Sequence, residues 1–145
     1  MNLKRIISLV VLALLIVAQF FVKSDNVSSY ESVKAFEQEE KVTPKLSGIL
    51  KNQCYDCHSN HTNYPWYNKI GLVSIVLNHH IEEGKEHLNF SEWSNYTQNQ
   101  KEHKLHEVYE EVEENEMPLK MYSLTHPSLS NEEKTEILSF FEVYK

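Results

Sequence analysis

An apolar run close to the amino terminus divides this chain before any other feature is considered. Lys4 and Arg5 precede it, only Ser8 and Gln19 interrupt it between Ile6 and Val22, and Lys23 closes it. Such a run reaches the lower limit for crossing a bilayer as a helix and overlaps the upper end of a signal-peptide core. It ends Val17-Ala18-Gln19-Phe20-Phe21-Val22, without the small residues of an A-x-A cleavage site and without a following Cys for lipidation. The expectation is an uncleaved anchor over residues 1–23. The basic pair ahead of the run and the weakly charged stretch behind it place the amino terminus in the cytoplasm. The rest of this single-pass chain then lies on the extracytoplasmic (periplasmic) side of the cytoplasmic membrane.

What remains has room for one domain. Residues 24–42 (SDNVSSYESVKAFEQEEKV) are polar, with few regularly spaced apolar positions, and read as a tether. A folded domain is expected over 43–145, opening with Thr43 as helix N-cap and Pro44 at the first helical position. Apolar spacing predicts helices over Pro44 to Gln53, over Gly71 to His87 with Val73, Val76, Leu77 and Ile81 as the inward stripe, over Gln98 to Glu114, and from a Ser130/Glu133 capping box to the carboxyl terminus. With only 3 Gly and 4 Pro and no segment that reads as a strand, the class is all-α. The net charge of -7 excludes a surface that tracks nucleic-acid phosphates. Helices this short leave a thin core unless an apolar group sits between them.

The chain's 2 cysteines fall within Cys54-Tyr55-Asp56-Cys57-His58, the attachment pattern of c-type haem. Thiols three positions apart at a helix end can form thioethers to the two vinyl groups of one porphyrin, and the adjacent imidazole then reaches one axial face of the iron. A disulfide, a zinc site and a thioredoxin-like redox pair are the competing readings. For the second axial position Met117 leads, because Pro118 stops helical continuation and can hold a loop that presents the thioether. Met121, His79 and His80 are alternatives, and His126 reads as structural. In the patch Tyr64-Pro65-Trp66-Tyr67, Trp66 or Tyr67 can serve a haem propionate or edge, or simply cap the core. The acidic face of the third predicted helix reads as solvation.

Taken together, Cys54-Tyr55-Asp56-Cys57-His58-Ser59-Asn60, Tyr64-Pro65-Trp66-Tyr67, Asn89-Phe90-Ser91-Glu92-Trp93, Met117-Pro118-Leu119 with Tyr122, and His126-Pro127 resemble the exported haem-binding domain proteins, themselves similar to small class I cytochromes c. The resemblance implies a cytochrome c-like all-α domain with one haem c per chain, attached at Cys54 and Cys57 and ligated by His58 and Met117. The function expected from this is one-electron transfer to a membrane-associated redox partner, without enzymatic activity. The alternative is a gas or redox sensor whose distal ligand is labile; a peroxidase would need a distal acid–base pair that the sequence does not place.

Overall fold

The computed structural model describes residues 2–145, and these are all-helical, with a lone antiparallel bridge between Val27 and His61. Helix α1 (Leu3–Ala18) runs into a 3₁₀ turn at Gln19–Phe21. The stretch Leu3–Phe21 is long and apolar enough to cross a membrane or to act as a signal sequence. There follow α2 (Lys34–Glu39), α3 (Pro44–Gln53), α4 (Tyr55–His58), α5 (Gly71–His87), α6 (Gln98–Glu113) and α7 (Asn131–Phe141), linked by short 3₁₀ turns.

Local chemistry sets the helix ends. Thr43 Oγ1 accepts from Leu46 N–H at 3.1 Å and Pro44 opens α3, so two of the otherwise unpaired N-terminal groups are accounted for. Reciprocal capping boxes start α6 (Thr97/Gln100) and α7 (Ser130/Glu133). At its other end α6 stops in a left-handed residue, Asn115 (φ 62°), after which the N–H groups of Glu116 and Met117 both return to Glu111 O, at 3.0 and 3.1 Å. Lys134 of α7 secures this turn, donating to Glu113 O at 2.9 Å and to Asn115 Oδ1 at 2.6 Å. These bonds fix where the chain carrying Met117 leaves the helix.

The core is a sandwich of α3, α6, α7 and the Phe90–Asn95 turn, in which Leu46, Leu50, Trp93, Leu105, Ile137 and Phe141 are fully buried. Its composition corrects the expected tether. Val33 and Phe36 are 0% exposed, and Phe36 packs its ring 4.4 Å from Phe90 and 5.0 Å from Trp93. Polar residues of the same stretch are equally engaged: the Glu37 carboxylate accepts from Ser47 Oγ at 2.5 Å and from Tyr55 OH at 3.1 Å, and Asn26 Nδ2 donates to Ser59 O and Thr62 Oγ1. The folded unit thus begins near Lys23. One turn of helix contributes the apolar side chains and hydrogen bonds do the rest, a pattern without periodicity.

A second correction concerns α5. Its buried residues are Gly71, Ser74, Asn78 and Ile81; the expected inward stripe is only half-buried at Val73 and Leu77, and Val76 is exposed. The backbone of Lys23 lies against this small, polar face, its N–H donating to Ser74 Oγ at 2.9 Å and its carbonyl accepting from Asn68 Nδ2 at 2.6 Å. A chain segment needs hydrogen-bonding partners where it crosses a helix, and large apolar side chains cannot supply them.

Candidate functional site

Helix α3 delivers both cysteines. Cys54 N–H bonds back to Leu50 O at 2.8 Å, Cys54 itself leaves helical geometry (φ -127°, ψ -48°), and the single turn of α4 closes with Cys57 N–H and His58 N–H on Cys54 O at 3.2 and 3.0 Å. The result is that Cys54, Cys57 and His58 open on one cavity of about 360 Å³. Its apolar wall comes from Leu50, Leu88, Val108, Val112, Pro118 and Ile137, and polar residues, among them Glu83, Lys104 and Glu107, also line it. Met117 lines the same cavity and is half-buried.

The imidazole of His58 is held in one tautomer. Its Nδ1 lies 3.0 Å from Leu88 O, which can only accept, so Nδ1 carries the proton and Nε2 keeps its lone pair. Burial lowers the basicity of His58, outweighing the backbone hydrogen bonds that favour the cation, and so maintains the neutral, ligating form. Leu88 O is well placed because α5 packs directly on the attachment turn. Gly84 makes this approach possible: a Cβ there would stand 2.8 Å from Cys57 O and 3.2 Å from Cys57 Cβ. An isolated Gly in a helix is a legible signal, although the partner it admits is not.

Removal from water pushes the Cys54 thiol up to about 12, with Cys57 beside it adding to the shift. The Cys57 thiol is pushed up to about 11 by the same desolvation and then by Asp56. The two sulfurs are not joined. A thiol–disulfide exchange site needs thiolates held at low pKa, the opposite of this arrangement. Among the described residues no three His, Cys, Asp or Glu side chains are gathered as a zinc site would gather them.

Asp56 and Tyr122, neither assigned a role from sequence, tie the far loop to this turn. The Asp56 carboxylate accepts from Asn63 N–H at 2.8 Å and from Tyr122 OH at 2.9 Å, and the same hydroxyl is 2.9 Å from Asn52 O. Burial and the Asp56 carboxylate raise the Tyr122 pKa, so its hydroxyl stays a donor. The Tyr122 ring stacks on His126 at 3.9 Å.

Several residues singled out from the sequence lie elsewhere. Trp66 is 77% exposed and Tyr67 donates its hydroxyl to Thr125 Oγ1 at 2.7 Å; neither lines the cavity. Met121 is exposed and outside it, and His79 faces solvent 3.4 Å from Glu83. His80 does line the cavity, as does His87.

The haem-binding domain family matches residues 13–143, a span that contains every residue of this cavity. The chain belongs to that family. No curated protein and no solved structure matches it. The cavity of this haem-binding domain suits the group its family is defined by. Its volume falls within the roughly 300–1,000 Å³ of small-molecule and cofactor sites. Its walls are mainly apolar, both cysteines line it, and His58, whose Nδ1 is taken up by Leu88 O, lines it with Nε2 left unprotonated.

Proposed function

We propose that this haem-binding domain is a c-type electron carrier, held by α1 at the outer face of the cytoplasmic membrane, with one haem attached through Cys54 and Cys57 and ligated by His58 and Met117. One observation carries the reading: Cys54, Cys57, His58 and Met117 line a single cavity, and the His58 Nδ1 is already engaged by Leu88 O. Bound there, haem supplies a one-electron iron couple whose potential thioether ligation raises relative to bis-histidine.

The chain's own residues do the rest. Leu88 O and Gly84 orient His58, while the Glu111 bonds and the Tyr122–Asp56 contact hold the loop of Met117. His80 and His87 belong to α5, the wall that already touches the attachment turn, whereas Met117 comes from the α6–α7 connection. That difference of origin favours Met117 as the second ligand. Lys4 and Arg5 before the apolar run support the outward placement of the domain.

Met117→Ala in the matured full-length protein is expected to abolish the methionine–iron charge-transfer band at the red edge of the oxidised spectrum, to shift the iron toward high spin and to lower its potential. An unchanged spectrum transfers the role to His80 or His87. A wild-type iron that is already high-spin and takes carbon monoxide readily would replace the carrier with a sensing module.

A further inference from the structure

The first turns of α5 are inverted relative to a helix that faces water. Gly71, Ser74 and Asn78 are turned inward, while Leu72, Ile75 and Val76, which follow the i, i+3, i+4 spacing of one face, are between 43% and 52% exposed. No Asp, Glu, Lys or Arg occurs from Ile70 to Ile81; the charged residues of α5 begin at Glu82. Contiguous large aliphatic side chains on a surface mark a contact with something apolar.

The position of this face identifies its occupant. The end of α1 is seated on the first turn of α5, and Ala18 is the only buried residue of α1. Gly71 makes that seat, since a Cβ there would lie 2.2 Å from Ala18 O. The Gln19 amide completes it, with its NH₂ toward Lys69 O at 3.1 Å and its oxygen toward Gly71 N–H at 3.2 Å. The exposed face of α5 therefore starts at the level where the apolar helix ends. The turn Trp66–Lys69, which packs on α5, carries an exposed indole at Trp66, a residue type that favours the boundary between headgroups and acyl chains.

We infer that the Leu72/Ile75/Val76 face of α5, with Trp66, lies in the interfacial layer of the bilayer that α1 spans. The inference rests on the reading of α1 as a retained anchor. Lipid covers three large aliphatic side chains that would otherwise face water, and the domain is held at a fixed height and tilt instead of swinging on a leash. His80, Glu83, Gly84 and His87, where α5 lines the cavity, follow Leu72 by roughly 12–22 Å of helix at 1.5 Å per residue. The site thus stands close to the membrane surface, within reach of a partner embedded in the same bilayer.

The test uses the full chain, haem-loaded, in vesicles of phosphatidylcholine and phosphatidylglycerol. A diazirine amino acid replaces, one at a time, Leu72, Ile75, Val76, Val10 within the span, and Glu102 on α6. After illumination, lipid adducts are counted by mass spectrometry. Adduct yields at Leu72, Ile75 and Val76 of the same order as at Val10, and well above Glu102, are expected. Adducts at Val10 with none above the Glu102 level on α5 overturn the inference while leaving the anchor intact. Crosslinks from α5 to a second protein chain in place of lipid also overturn it. Absence of lipid adducts at Val10 as well removes the anchor, and the inference falls with it.

Discussion

A full-length chain carrying Cys54→Ser and Cys57→Ser is expected to lose all covalently held haem, so that acidified acetone extracts whatever colour the protein retains. Serine nearly preserves the shape of each side chain and the single turn of α4 is closed by backbone bonds to Cys54 O, so the substitutions remove the bonding atoms without dismantling the turn. The two single variants are expected to retain at most one thioether each. Loss of the cofactor also leaves Leu50, Val108, Val112 and Ile137 around an unfilled cavity. Cavity-lining contacts of this kind cannot be recovered by collapse in a close-packed interior, so the double variant should also unfold at lower urea than the wild type. Haem that resists extraction in the double variant would sink the assignment of these cysteines.

The second large effect lies far from the cavity. Phe36→Ala should destabilise the detergent-solubilised protein by about 3–5 kcal/mol, the usual cost of truncating a buried phenylalanine. Its ring is fully buried against Phe90 and Trp93, and Glu37 beside it takes hydrogen bonds from α3 and α4, so little relaxation is open to the site. The exposed Val143 supplies the control, because Val143→Ala should stay within about 0.5 kcal/mol. Chemical denaturation of the three proteins decides the matter. A Phe36→Ala change as small as that of Val143→Ala would restore residues 24–42 to the role of a tether.

That contrast marks where the sequence was readable. Helices α3, α6 and α7 announced themselves through Thr43-Pro44, the apolar spacing over Gln98 to Glu114, and the Ser130/Glu133 box, because caps and periodicity are local and each signal lies within a few residues of its partner. The extent of α5 was equally plain, but the side it buries was not. Of the expected stripe Val73, Val76, Leu77 and Ile81 only Ile81 is buried, because the small polar residues Gly71, Ser74 and Asn78 take the inward side, and apolar spacing gives no weight to residues of that kind. Phe36 escaped because one buried ring in a polar stretch produces no period. Of the site, Cys54, Cys57, His58 and Met117 were named from the chain and now share a cavity. Trp66 and Tyr67 were grouped with them by closeness in sequence, yet the turn at Trp66–Lys69 takes Tyr67 to Thr125 and leaves the Trp66 indole exposed, both outside the cavity. Conversely, Tyr122 and Asp56 are 66 residues apart, and a contact over that separation leaves no trace in either neighbourhood.

The central claim is a covalent haem on the Cys54/Cys57 pair, and the intact mass of the full chain, expressed with the cytochrome c maturation machinery and denatured before analysis, tests it most directly. The account predicts a polypeptide heavier by one haem, with the increment confined to the peptide that spans Cys54 to His58. An unmodified mass, or the two-hydrogen loss of a Cys54–Cys57 disulfide, would contradict it.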